Sequence, residues 1–278
     1  MTVAICVRAP ATTANVGPGF DCVGIALDLW NEVEVGEGGG DPDEGHLGVR
    51  AFARVAPARG WSFAWRDAIP RERGLGSSAA VIALGLVAGC LAAGREPDPE
   101  ELLTLGLDLE GHGDNLAPAL AGGVCLTWDG RMARIAERPP AIPIAVVPDT
   151  TVSTAAARAT LPGSVPHGDA AYTAGRAALL GAALAAGSAE LFAGALEDRL
   201  HEPYRASGAP LLAEVRARLP SRALGATLSG SGPSVVVWAR DEHAAACAGE
   251  LEAGFPDASV LRLAASPAGA TAMGRSAD

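Results

Sequence analysis

PRERGLGSSAA, residues 70–80, runs directly into VIALGLVAGCLAAG, residues 81–94. Gly74 and Gly76 allow tight turning and close backbone approach. Ser77 and Ser78 add hydroxyls, and an uncharged helix follows at once. A helix start carries unpaired backbone N–H groups and the positive end of the helix dipole, so this arrangement makes an anion site. The apolar run is long enough to cross a bilayer. Its Ala, Gly and Ser content, and the loop that opens it, favour a buried helix in a soluble core.

Working outward, a second chemical segment is EGHGDN, residues 110–115. It gathers two carboxylates, a histidine and an amide. Hard oxygen donors suit magnesium, and Glu110 with Ser78 could supply them beside phosphate oxygens. Asp114 stands where a helix starts, so an N-cap is its ordinary role. A solvated helix-end carboxylate is the ordinary role of Glu110. A third segment, TLSGSGPS at residues 227–234, again permits close approach, here to the edge of the phosphate site; alone it would be a turn.

The chain has 278 residues and contains no lysine. Its 21 basic residues are all arginine, against 32 acidic ones, for a net charge of -11. That excludes a Walker-type P-loop, a pyridoxal Schiff base and a lysine general base. The acidic balance argues against nucleic acid as a partner, which needs a basic stripe. Apolar residues at 49% suffice for a sizeable core. The five cysteines lack CxxC spacing, which fits a reducing, cytoplasmic compartment. No signal peptide is visible at the N-terminus.

The remaining pattern is one of alternating layers. Residues 3–7 read as a strand ended by Pro10, and 11–20 as a Thr/Asn/Gly/Pro loop. Segments 23–29, 31–35, 61–66, 124–128, 142–147, 235–238 and 259–263 read as strands. Helices are expected near 49–55, after 76, over 97–109 with Asp98 as N-cap, and from Asp114 to Leu120. Further helices are expected over 172–184, 189–200, 211–219 and 242–251, with a Gly/Ser loop over 226–232. The fold class is α+β, with its weakest point for a boundary near Pro148.

The three segments, with APATTANVGPGFDCVGIAL at residues 9–27, VSTAAARATLP at 152–162 and EDRLHEPYR at 197–205, resemble the kinase superfamily of galactokinase, homoserine kinase, mevalonate kinase and phosphomevalonate kinase (GHMP kinases). Within it the pattern is most similar to the homoserine kinases. The pieces occur in order over nearly the whole chain. The resemblance implies a two-domain GHMP kinase fold: an N-terminal mixed βα domain over residues 1–147 carrying the glycine/serine phosphate loop, and a C-terminal ferredoxin-like α/β sandwich over 148–278. It implies ATP and Mg2+, transfer of the γ-phosphoryl group to the side-chain hydroxyl of L-homoserine, and a homodimer. No membrane partner is implied.

Residue by residue, the resemblance implies that Pro70, Arg71, Glu72, Arg73, Gly74, Leu75, Gly76, Ser77, Ser78, Ala79 and Ala80 wrap the ATP phosphates. Ser78 and Glu110 would hold magnesium. Asn15, Asp21, His112 and Asn115 would line the acceptor pocket, with Asp21 taking its ammonium. Arg158 and Arg205 would take its carboxylate; arginine forks suit carboxylates, although a surface ion pair is the ordinary fate of an arginine. Asp114 is the candidate base. Some superfamily members use an aspartate in that role, whereas homoserine kinases are argued to work by positioning and charge neutralisation, which a loose transition state permits.

The chain departs from the family in three places. Residues 36–67, a region that helps bind the nucleotide base in the family, are shorter than usual. Gly113 replaces a proline, which should loosen that loop. Arg71 and Glu72 replace a more typical Gly or His at the rim. Two rival readings are a sister kinase for mevalonate or a sugar, and a non-catalytic binding protein on the same fold. Mevalonate lacks an ammonium for Asp21, and the intact Ser77, Ser78 and Glu110 disfavour the second.

Overall fold

In the computed structural model, which describes residues 4–273, the chain opens with β1 (Ala4–Asn15) and β2 (Gly19–Glu37), paired antiparallel. The expectation of a strand ending at Pro10 and a loop over 11–20 is corrected here. Pro10 lies at a register shift, a bulge where a missing N–H breaks no ladder bond. The strand then continues to Asn15 although its residues are small and polar. Both of its faces are covered, and Thr12, Thr13 and Asn15 each find a side-chain hydrogen bond. The actual turn is 16–18, entered through Asn15 and Val16 at φ 71° and 48°.

Next come α1 (Leu47–Phe52), β3 (Trp61–Arg66), α2 (Ser77–Ala92), α3 (Pro99–Glu110) and α4 (Gly113–Ala121). The helix α2 is apolar on every side and buried on every side, as such helices must be. It packs against α1, β1, α3 and α4. Gly85 makes the α1 contact possible: a Cβ there would lie 2.1 Å from the Gly48 carbonyl oxygen. No helix among the described residues is long and apolar enough to cross a membrane. Asp98 caps α3 as expected, accepting from the backbone of Glu100 and Glu101, with Pro99 in the first turn. Asp114, by contrast, is not an N-cap. His112 holds that place, and Asp114 lies inside the first turn of α4. Gly113 is the first helical residue and stands against Thr127, so the expected loosening falls on a helix start rather than a loop.

The hairpin β4 (Val124–Trp128) and β5 (Arg131–Ala136) follows. Then β6 (Ile142–Pro148), α5 (Thr154–Ala159), α6 (His167–Ala186), α7 (Ala189–Ala195), α8 (Glu202–Arg205), α9 (Leu211–Ala217), β7 (Ala223–Leu228), β8 (Val235–Ala239), α10 (Asp241–Gly254), β9 (Ala258–Arg262) and β10 (Thr271–Ala272) complete the chain. The strand β7 occupies the start of the expected Gly/Ser loop, which begins only at Ser229. The helix expected over 189–200 stops at Ala195; β10 and α8 carry too few residues to show a period, and β5 and α5 also lie outside the expected elements.

One sheet has the order β10-β1-β2-β4-β5, with β3 also on β2; the other has the order β7-β8-β6-β9. The second is a βαββαβ unit with all neighbours antiparallel, the ferredoxin-like arrangement expected. The first sheet buries its core under α1 to α4, and α9 and α10 cover one face of the second. A third apolar cluster joins them: Val16, Val23 and Ile25 meet Leu180, Phe192, Leu196 and Trp238.

Gly24 on β2 is a point of close approach between α4 and the first sheet. A Cβ there would lie 1.7 Å from the Asp114 carbonyl oxygen. Gly24→Ala should therefore destabilise the fold by about 3 kcal/mol or more, by overpacking against backbone that cannot yield. Gly175→Ala, in exposed helix with nothing near its Cβ, should be neutral or stabilising by up to about 1 kcal/mol. Denaturant unfolding of the two variants beside the parent protein measures both.

Candidate active site

Loops from both sheets close on one cavity of about 610 Å3. Its floor on the first side is the start of α2. Gly76 is the N-cap there, left-handed at φ 67°, and no side chain caps the helix. The first N–H groups of α2 are thus free to face an anion, with no lysine near. Gly74 and Gly76 prove to be required by the protein itself as much as by any ligand. A Cβ on Gly74 would stand 2.2 Å from the Ser229 carbonyl oxygen, and one on Gly76 would stand 1.8 Å from Thr12 Oγ1.

The 229–232 turn fastens this loop. Ser229 Oγ donates to the Gly74 carbonyl at 2.7 Å and lies 2.9 Å from Thr13 Oγ1, while Gly230 N donates to Ala14 O at 3.1 Å. Arg73 turns away from the cradle, donating through Nη1 to Pro148 O at 2.9 Å and Thr150 O at 3.3 Å. Arg71 pairs with Asp67 at the exposed rim. Of the eleven residues expected around the phosphates, nine line the cavity; Ala79 and Ala80 are buried in α2 and do not.

Glu110, at the end of α3, comes beside the start of α2. Ser78 Oγ donates to its Oε1 at 2.8 Å. Burial pushes the Glu110 carboxyl up to about 7, against the lowering effect of the Ser78 hydrogen bond. Asn115 Oδ1 accepts from Thr12 Oγ1 at 2.7 Å, which fixes its amide. Asp114 is 4% exposed and is pushed up to about 6 by burial and then by the charge of Asp21, despite the Asn115 N–H donated to its Oδ1 at 2.9 Å. Burial and the Arg158 charge lower the His112 imidazole, so it is neutral at pH 7.

At the other end of the cavity Asp21 stands at φ 58°, a left-handed backbone held because its N–H donates to Asn15 Oδ1 at 3.0 Å. Asn15 in turn donates through Nδ2 to Gly230 O at 2.8 Å. Both ends of the Asn15 amide are thus occupied by protein, so its place in the wall is structural in this state. Arg158 reaches from α5 and clasps Asp21 with two hydrogen bonds, of 3.0 and 2.7 Å. Arg205, 3% exposed, projects from α8 toward the same corner. The aromatic ring of Phe20 lies against both guanidiniums, 5.7 Å from that of Arg158 and 5.2 Å from that of Arg205.

The structure brings together every site residue expected from the sequence except Ala79 and Ala80. It adds Thr12, Phe20, the 229–231 turn and the 152–154 segment after β6. All lie inside the quoted motif strings, but nothing in their residue types announces a role. The shortened 36–67 region also reaches the cavity, through Gly45, His46 and Leu47; His46 stacks on Trp65 at 4.3 Å.

Chemically, the cavity offers an anion cradle at one end and an Asp–Arg–Arg corner at the other, with Asp114, His112 and Asn115 between. Comparison with known proteins identifies the family. The family described as GHMP kinases N terminal domain matches residues 47–123, and GHMP kinases C terminal matches 180–257. A homoserine kinase of Clavibacter michiganensis subsp. michiganensis is 42% identical over 273 residues, covering 89% of this chain and 86% of its own. Another, of Streptomyces avermitilis, is 40% identical, covering 94% and 97%. The crystal structure of homoserine kinase from Cytophaga hutchinsonii superposes with a TM-score of 0.88 at 26% identity, over 97% of each chain. With the motifs, both sheets and the relatives in accord over almost its whole length, the chain belongs to the homoserine kinase family of GHMP kinases.

Proposed function

We propose that this enzyme transfers the γ-phosphoryl group of ATP to the side-chain hydroxyl of L-homoserine, giving O-phospho-L-homoserine on the way to threonine. The observation that carries the reading is the single cavity with a lysine-free anion cradle at one end and the Asp21, Arg158 and Arg205 corner at the other. A zwitterionic amino acid answers that corner. Its carboxylate would take the two guanidiniums and its ammonium would take Asp21, exchanging one ion pair for two. Mevalonate has no ammonium and would leave Asp21 without a partner.

The cradle end suits ATP. Nine residues of 70–78 line it, and the α2 start supplies N–H groups to the phosphates. Ser78 and Glu110 are adjacent hard-oxygen donors, and Glu110 has no cationic partner within the described residues, so the pair fits Mg2+. Bound there with phosphate oxygens, the ion would neutralise charge on the transferring group. His112 and Asn115 line the acceptor path, with Asn115 oriented by Thr12. Asp114 is the candidate for taking the hydroxyl proton, and its carboxyl, raised to about 6 by burial, is matched to that task.

The same proposal divides the chain at about residues 1–147 and 148–278. The pairing of β6 within the second sheet favours drawing the line just before Ile142, and β10 returns across it. A homodimer follows the family habit. A cytoplasmic location is supported by the five free cysteines.

ADP release should depend on homoserine and not on mevalonate or galactose, and Arg158→Gln should raise the homoserine KM about tenfold or more with the ATP KM little changed. Turnover of another acceptor and none of homoserine would overturn the assignment. Glu110→Gln should lower Mg2+-dependent kcat/KM by about 10²-fold, measured across a magnesium titration. Asp114→Asn should lower kcat by about 10²-fold if Asp114 is the base, and near-full turnover would remove it from that role. The same variant has a stability signature. Because folding raises the carboxyl from 3.8 to about 6, the ionised form is disfavoured in the fold. The cost is full above pH 6 and is relieved as pH falls toward 3.8. Asp114→Asn should therefore stabilise the ligand-free protein at pH 8, by at most about 3 kcal/mol, and much less at pH 4.5. Melting curves at the two pH values decide.

A further inference from the structure

Arg205 is a buried guanidinium, and such groups are ordinarily held by a carboxylate. Two carboxylates stand close by in sequence, and both are committed elsewhere. Asp198 accepts the backbone N–H groups of Leu200, His201 and Glu202 at 3.0, 2.7 and 2.9 Å. Glu202 accepts from Arg216 Nη2 at 2.6 Å and from Leu228 N at 2.9 Å. Arg205 Nη1 meets instead two uncharged acceptors, Gly230 O at 3.2 Å and His201 Nδ1 at 3.1 Å. Its Nε is buried without a partner.

The partners of His201 fix its form. The side chain is wholly buried and stacks on Phe20, centroid to centroid 4.8 Å. Its Nε2 lies 2.8 Å from the Gly17 carbonyl, which can only accept; its Nδ1 faces Arg205, which can only donate. The neutral tautomer with hydrogen on Nε2 satisfies both. An imidazolium would set N–H against N–H beside a fixed positive charge. The charged groups facing the ring are Arg205, Asp198 with Oδ2 3.7 Å from Nε2, and, beyond Phe20, Asp21 and Arg158. Burial lowers the imidazole pKa, against the pull of Asp198.

We propose that His201 is a positioning residue for the acceptor's acid group: as a neutral acceptor it aims Arg205 while leaving the guanidinium charge unspent. A carboxylate in its place would hold Arg205 as firmly but would cancel the charge the ligand needs. This rests on the homoserine reading for the identity of the acid group. The clamp itself belongs to the ligand-free protein.

The two side-chain amides separate the roles. Asparagine at 201 places an acceptor near the Nδ1 position, toward Arg205; glutamine reaches the Nε2 position, toward Gly17. His201→Gln should raise the homoserine KM about tenfold or more, with kcat changed less than about threefold and the ATP KM unchanged. His201→Asn should restore the homoserine KM to within about threefold of the parent. With 3-aminopropan-1-ol, which is homoserine without its carboxylate, parent and His201→Gln should perform alike. Equal damage by Gln and Asn, a matching rise in the ATP KM, or an equal penalty on the carboxylate-free acceptor would overturn the proposal. A readout without substrate stands beside these. In 15N-histidine-labelled parent protein at pH 5.5, His201 should remain neutral with hydrogen on Nε2 alone. A protonated Nδ1 overturns the clamp. Absence of homoserine turnover by the parent protein would sink the functional reading, while the nitrogen spectrum would still decide the clamp.

Discussion

The contact on which the site depends is one of backbone against backbone. The 229–232 turn of the second sheet lies on Gly74 so closely that no side-chain carbon fits between them, and at Gly76 the same space is filled by the Thr12 side chain of the first sheet. Three separate segments are thereby fixed around the start of α2. The anion cradle is not a loop waiting for a ligand to order it. The Ser229 hydroxyl holds it from one side, while Gly230 N ties the same turn to Ala14 of β1, and Arg73 ties the cradle to the 148–150 carbonyls on the other side. Preorganisation of this sort keeps donors in place before charge arrives, which is where electrostatic catalysis gains most.

Charge is used sparingly in this cavity. With a net charge of -11 the overall field opposes an anionic nucleotide, so attraction must be local. The cradle relies on backbone dipoles, and the opposite corner carries two arginines. Of these, Arg158 is paired bidentately with Asp21 at a half-exposed position, and Arg205 is buried and held by neutral groups. Phe20 supplies the shared wall against which both lie.

Most of the layer order was legible in the sequence, because α2, α3, β3, β4, β6 and β8 have clean periods, caps or apolar runs. Several of the failures fall at the site. Residues 11–15 are threonine, alanine and asparagine, a composition that signals a loop in isolation. They form strand because tertiary cover and reciprocal hydrogen bonds outweigh that preference. Asp114 looked like an N-cap because a helix does start there, and only the structure shows His112 in that place. The acidic and arginine members of the site were visible through their motif strings. His201 and Phe20 were in the same strings yet silent, since a buried histidine and a phenylalanine have ordinary uses in any core.

The two-residue strand β10 has a further meaning. It follows the whole of the second sheet in the chain but pairs with β1, through Val7 with Ala272 and Arg8 with Thr271. The first sheet is therefore stitched shut by a segment that leaves the ribosome after everything in the second. During synthesis the outer edge of β1 stays unpaired until the second sheet has been made. Neither half carries the whole cavity, since the 70–78 loop comes from the first and Arg158 and Arg205 come from the second.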